Sequence, residues 1–88
     1  MEYEFLKYPT SVKGLAFEIK RVSNDYAARR LGNDEFEDVI MWYANNCGDK
    51  FFNGQDYNPT VKILIGKRRV KLLDMVLDGY QPTLFKGG

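Results

Sequence analysis

Five cations, Lys62, Lys67, Arg68, Arg69 and Lys71, fall within ten residues around one glycine, Gly66. Three of them, Lys67 to Arg69, open a predicted helix, where the positive end of the helix dipole disfavours cations. Local stability does not select that arrangement. An anion, either a phosphate or a partner's carboxylate, would resolve the conflict if held by these side chains and the free amide N–H groups after Gly66. In the competing reading, Lys67 and Arg68 cap the carbonyls of a preceding short helix or pair with the acidic turn Asp34, Glu35, Glu37 and Asp38. A phosphate-binding loop is not the explanation. Val61 stands where its upstream glycine belongs, and Arg68 stands where a Ser or Thr would hold the metal.

The other residues able to do chemistry lack partners. The four carboxylates of the acidic turn spread round a helix start, and the chain has no histidine. A metal needs a converging ligand set, so the turn reads as a solvated, dipole-matched terminus. Cys47 has no base to activate it and lies on an apolar stripe, as a packed thiol does. No nucleophile elbow, paired-cysteine zinc spacing or dinucleotide fingerprint is present. The sequence therefore predicts a non-enzymatic protein with no catalytic residue, cofactor or metal. Aromatic residues make up 15% of the chain, more rings than a small core needs. Trp42, Phe51 and Phe52 are the candidates for an aromatic interface, with packing of a loop onto the helices as the alternative.

The elements that must position these residues are mostly helical. Ser11 or Thr10 caps a first helix whose stripe is Val12, Leu15, Ala16, Ile19, Val22, Tyr26 and Ala27. Arg29 and Arg30 are expected in its last turn, and Gly32 is expected to stop it. Asn33 or Asp34 then caps a second helix, with capping-box spacing from Asp34 to Glu37. Its stripe is Phe36, Val39, Ile40, Tyr43, Ala44 and Cys47, and Gly48 is its expected stop. Met41 and Trp42 fall off that stripe and need cover from a third helix or a partner. Residues 48–58 read as a loop around the turn pair Asn53-Gly54, tucked in by Phe51, Phe52 and Tyr57. Asn58-Pro59 starts the next helix.

A single helix over 60–78 would put Arg68 in the middle of an apolar stripe. Two helices, 59–65 and 67–78, meeting at Gly66 avoid this, with Val70, Leu73, Val76 and Leu77 buried and Gly79 as the end. Residues 2–8 alternate well enough for a short strand. The tail 80–88 carries Leu84 and Phe85 as docking groups. The prediction is a mainly α fold: one small domain over 1–88, a bundle of about four helices, with 1–8 and 80–88 as flanking segments.

The formal charge is +1, from 13 basic and 12 acidic residues. A free-standing nucleic-acid binder is usually far more basic. At 88 residues the chain supports a modest core. One cysteine permits no internal disulfide. The start has no signal pattern, and the run Ile63-Leu64-Ile65 is far too short to span a bilayer. These features predict a cytoplasmic protein without membrane attachment.

Residues 8 to 77 resemble a family of short, functionally uncharacterised proteins of clostridia, bacilli and their phages or mobile elements. The motifs are Tyr8-Pro9-Thr10, Asn24-Asp25-Tyr26, Tyr43-Ala44-Asn45-Asn46, Lys50-Phe51-Phe52, Pro59-Thr60-Val61-Lys62 and Gly66-Lys67-Arg68-Arg69 before Leu72-Leu73. The resemblance implies a bacterial or phage setting and carries no activity.

Three functions are open to such a chain. The first is a protein-binding module, an accessory protein of a phage or mobile element that inhibits or redirects a host protein. The second is nucleic-acid binding through residues 66–71, with Lys62 alongside. The third is capture of a small anionic, nucleotide-like ligand there, across a homo-oligomer interface.

Overall fold

In a computed structural model, which describes residues 3–80, the first helix starts at the expected cap. The Ser11 hydroxyl accepts the Gly14 N–H at 2.9 Å. The helix, α1 (Val12–Ala27), buries Leu15, Ala16, Ile19 and Val22. Its end departs from expectation. The chain turns at Arg29, with φ 63, and not at Gly32. The Arg30 N–H bonds to the Asp25 carbonyl at 2.9 Å and the Arg29 N–H to the Tyr26 carbonyl at 3.1 Å. This is a Schellman ending with arginine at the usual glycine position. The Arg30 guanidinium also bridges to Asp25 at 3.3 Å, replacing the apolar contact that commonly closes the motif. Arg29 and Arg30 thus lie beyond the helix, not in its last turn.

Gly32 instead forms the N-cap of α2 (Asn33–Asn46). Its N–H donates to the Glu35 carboxylate at 3.3 Å, the half of a capping box that needs no side chain on the cap. Asn33 does not serve as cap, because its side-chain oxygen accepts from the Tyr26 hydroxyl. The predicted stripe from Phe36 to Cys47 is buried.

Residues 48–58 are not an open loop. Gly48 begins a four-residue helix, α3 (Gly48–Phe51), followed by the strands β1 (Phe52–Asn53) and β2 (Asp56–Tyr57). They pair antiparallel, Phe52 opposite Tyr57 and Asn53 opposite Asp56. Gly54 has φ 68 and Gln55 stays at negative φ, which defines a type II′ hairpin turn. Phe51 stacks on Phe52 at 4.6 Å and on Tyr57 at 5.7 Å, so the rings tuck the hairpin inward as expected.

The Asn58 side chain caps α4 (Pro59–Ile65) by accepting the Thr60 N–H at 2.9 Å. The break at Gly66 is present, and α5 (Lys67–Val76) follows it. α5 ends two residues short of the expected 78, with Leu77 as its cap. Leu73 and Leu77 are buried, while Val70 and Val76 are only partly covered. Among the described residues the fold is mainly helical, with five helices, and α1 packs most extensively on α4.

Residues Tyr3 to Tyr8 form no strand. They make a strap running back along α1, from Asp25 towards Ser11, and onto α2. The Leu6 carbonyl accepts from the Tyr43 hydroxyl at 2.6 Å, and the Lys7 carbonyl accepts from the Trp42 indole at 3.1 Å. Phe5 meets both rings edge-on. The strap thus supplies part of the cover that Trp42 needs, where the sequence pointed to a third helix or a partner, and leaves the ring partly exposed. Side chains, and not a neighbouring strand, take up the carbonyls of Glu4, Leu6 and Lys7. The tail 81–88, including Leu84 and Phe85, lies outside the described residues.

Candidate functional site

The basic joint is built by Gly66, whose φ 86 and ψ 163 lie in a region essentially closed to side chains. A Cβ there would meet nothing within 4 Å, so conformation and not space demands glycine. Arg69 turns inward from the joint. Its Nε and Nη2 donate to Asn24 Oδ1 at 3.1 and 2.7 Å, and its Nη1 donates to the Ile65 carbonyl at 2.9 Å. Arg69 closes the end of α4 and ties it to α1. The capping role expected of Lys67 or Arg68 thus belongs to Arg69.

Lys62 pairs with Asp56 of the hairpin at 3.0 Å, and the expected pairing of Lys67 and Arg68 with the acidic turn 34–38 is not made. Lys67, Arg68 and Lys71 remain exposed, with no hydrogen bond or ion pair among the described residues. No acidic residue lies in the first turn of α5, and Gly66 offers no side-chain cap. The six predicted residues therefore divide into Gly66 and Arg69 as architecture, Lys62 as half of a surface pair, and three uncancelled cations.

The predicted aromatic residues divide as well. Phe51 has no exposed surface, and Phe52 lies between Phe51 and Tyr80, whose ring stacks on it at 5.9 Å. Both belong to the packing of the hairpin. Trp42 instead lines an open groove of 810 Å³ between the strap and α2. Met41, Phe5 and Tyr3 share its apolar lining, and Glu4, Lys7, Asp38, Asn45 and Asn46 bring polar groups to it. The Lys7 ammonium lies 5.4 Å from the centre of the Trp42 ring, a cation–π geometry.

Asn45 and Asn46 also line the groove, and the sequence marks them only within the motif Tyr43-Ala44-Asn45-Asn46, without a site role. The Asn46 amide nitrogen donates to the Trp42 carbonyl at 2.9 Å, and Asn45 Oδ1 accepts from the Tyr80 hydroxyl at 3.1 Å. The amide nitrogen of Asn45 and the amide oxygen of Asn46, both on exposed side chains, are left without a partner among the described residues. Adjacent free donor and acceptor groups match the C=O and N–H of a peptide backbone. The sequence carried no signal for this, because the facing wall comes from residues nearly forty positions earlier.

The strap is anchored by a polar cluster on α1. The Tyr3 hydroxyl donates to Asp25 at 2.5 Å and accepts from Arg21 at 3.0 Å. Arg21 also reaches the Glu4 carbonyl at 3.3 Å and Glu18 at 3.0 Å, and Glu18 accepts the Leu6 N–H at 3.3 Å. Burial and the bond to Asp25 push the Tyr3 phenol up to about 12. The same bond, with Arg30 beside it, holds the Asp25 carboxyl below its ordinary range. Burial pushes the Cys47 thiol up. Its Sγ donates to the Lys7 carbonyl at 3.6 Å, the state of a packed thiol and not of a nucleophilic thiolate. Among the described residues, no group of His, Cys, Asp or Glu is placed to hold a metal, and no helix is long and apolar enough to cross a membrane.

Fold and site define a small helical protein with an aromatic groove beside its N-terminal strap and an uncancelled basic turn at a helix joint. The chain belongs to the family CLB_0814_fam, described as a conserved hypothetical protein, whose model matches residues 6–78. That span takes in all the motifs from Tyr8-Pro9-Thr10 to Leu72-Leu73. No curated protein and no solved structure matches the chain.

Proposed function

We propose that this protein is a non-enzymatic protein-binding module that takes a partner polypeptide into the Trp42 groove. One observation carries the reading: the aromatic floor of the groove is bordered by a free amide donor on Asn45 and a free amide acceptor on Asn46. Apolar anchoring with a few convergent polar groups is the chemistry of recognition pockets. The partner in this reading is a host protein in the bacterial cytoplasm, inhibited or redirected by an accessory protein of a phage or mobile element. A photo-crosslinking residue in place of Met41, used in the native host, tests it. One recurrent partner protein, lost when Trp42→Ala is added, is the expected result. Labelling that is diffuse, or indifferent to Trp42, overturns the reading.

A second reading, nucleic-acid binding, is favoured by Lys67, Arg68 and Lys71, which carry unpaired charge at the start of α5. Phosphate contacts make affinity fall steeply with salt. Retention of a DNA or RNA duplex at low salt, lost in Lys67→Ala/Arg68→Ala and at high salt, supports it. No retention at low salt removes it.

A further inference from the structure

We infer that the strap is a removable wall of the groove, and that Arg21 and Asp25 are positioning residues that set how tightly it takes an apolar side chain flanked by basic ones. This rests on the protein-binding reading above.

The groove has two walls of different origin. α2 supplies Asp38, Met41 and Trp42, and the strap supplies Tyr3, Glu4 and Phe5. One face of a helix is convex, so the concavity exists only while the strap is docked. Neither Arg21 nor Asp25 lines the groove, yet both hold its second wall. Arg21 bonds to the Tyr3 hydroxyl and the Glu4 carbonyl, and its guanidinium lies 5.6 Å from the Tyr3 ring. Asp25 accepts from the Tyr3 hydroxyl on the other side.

The charge at the rim selects the flank of the occupant. Glu4 and Asp38 face the groove with carboxylates unpaired among the described residues, whereas Lys7 sits against the Trp42 ring. A leucine-sized side chain between lysines or arginines matches this rim, and an acidic flank does not. Binding and docking of the strap are then linked, because apparent affinity scales with the fraction of molecules in the competent form.

The experiment uses the full chain and an acetylated, amidated Lys-Leu-Lys peptide as probe, followed by NMR titration. Acrylamide quenching of Trp42, the one tryptophan of the chain, reports strap docking without any peptide. Arg21→Met removes three bonds from an exposed side chain, and Tyr3→Phe removes only the hydroxyl while keeping the ring in the groove wall. Both variants are expected to keep the wild-type circular dichroism and to raise Trp42 quenching. Both are expected to weaken peptide affinity about fivefold with unchanged shifts at saturation. Raised quenching with unchanged affinity overturns the inference and leaves the groove intact as a site. Unchanged quenching in both variants also overturns it. Failure of the wild-type chain to bind the peptide also overturns this inference, whereas the protein-binding reading falls only with the crosslinking at Met41.

Discussion

The guanidinium of Arg69 holds the side-chain oxygen of Asn24 with two of its nitrogens, across 45 residues of chain. Its remaining terminal nitrogen caps the Ile65 carbonyl. One cation of the basic run is thus a tie between α1 and the joint of α4 with α5.

Arg69→Met is expected to lower stability by about 1.5–3 kcal/mol, the usual range for losing hydrogen bonds to a charged group. Arg69→Lys should recover only part of this, since an ammonium cannot reproduce the two-nitrogen fork. Lys67→Met and Arg68→Met should each stay within about 0.5 kcal/mol of wild type, as exposed sites do. Urea unfolding midpoints separate these outcomes. Equal losses at all three positions would return the whole run to one structural role.

Arg29 and Gly66 both sit at positive φ and should respond in opposite directions. Arg29→Gly relieves a left-handed arginine at the end of α1 and should stabilise by about 0.5–1 kcal/mol. Gly66→Ala should cost about 1–3 kcal/mol although its methyl has room. Thermal melts of the two single variants check both signs.

Phe51 and Phe52 are neighbours in sequence with different environments. Phe51→Ala empties a fully buried site and should cost about 3–5 kcal/mol. Phe52→Ala, at a partly buried ring, should cost clearly less. Denaturant titration decides, and similar losses would show that the hairpin packs more tightly than its burial indicates.

Stability should be level across the neutral range, where the chain has no histidine to titrate. Asp25 and Asp56 have folded-state pKa values held below 3.8. Their contribution is present above that value and is lost as pH falls through the lowered ones. Tyr3, Tyr43 and Tyr57 are raised above 10.0, chiefly by burial. Their contribution is complete below 10.0 and lost as pH rises through the raised values. Thermal midpoints against pH should therefore form a plateau with an acid and an alkaline shoulder. Tyr3→Phe should shrink the alkaline shoulder. A midpoint that changes sharply near neutrality would contradict this account.

The helices were legible in the sequence because their signals are local. Ser11 and Asn58 cap as spacing predicts, and the conflict posed by Arg68 in a single helix places the break at Gly66, where the structure has it. The end of α1 was not legible. The left-handed Arg29 is held there by the backbone bonds of the Schellman ending and by the ion pair of its neighbour Arg30 with Asp25, where the sequence offers only the general preference for the nearby glycine. The hairpin leaves no pattern in the sequence, because two-residue strands are too short for alternation to show. The groove was hidden for a different reason. It combines α2 with residues 3–7, and no pattern within either segment announces the other.

The close packing of α1 on α4 also constrains how this chain can be made. During synthesis α1 and α2 emerge from the ribosome before α4 does, and Arg69 follows later still. Until then the apolar face that α1 will give to α4 has nothing to lie on, and Asn24 waits for its guanidinium. The pair α1 and α2 is therefore the stage with most exposed apolar surface, and the core closes only once α4 and α5 have emerged.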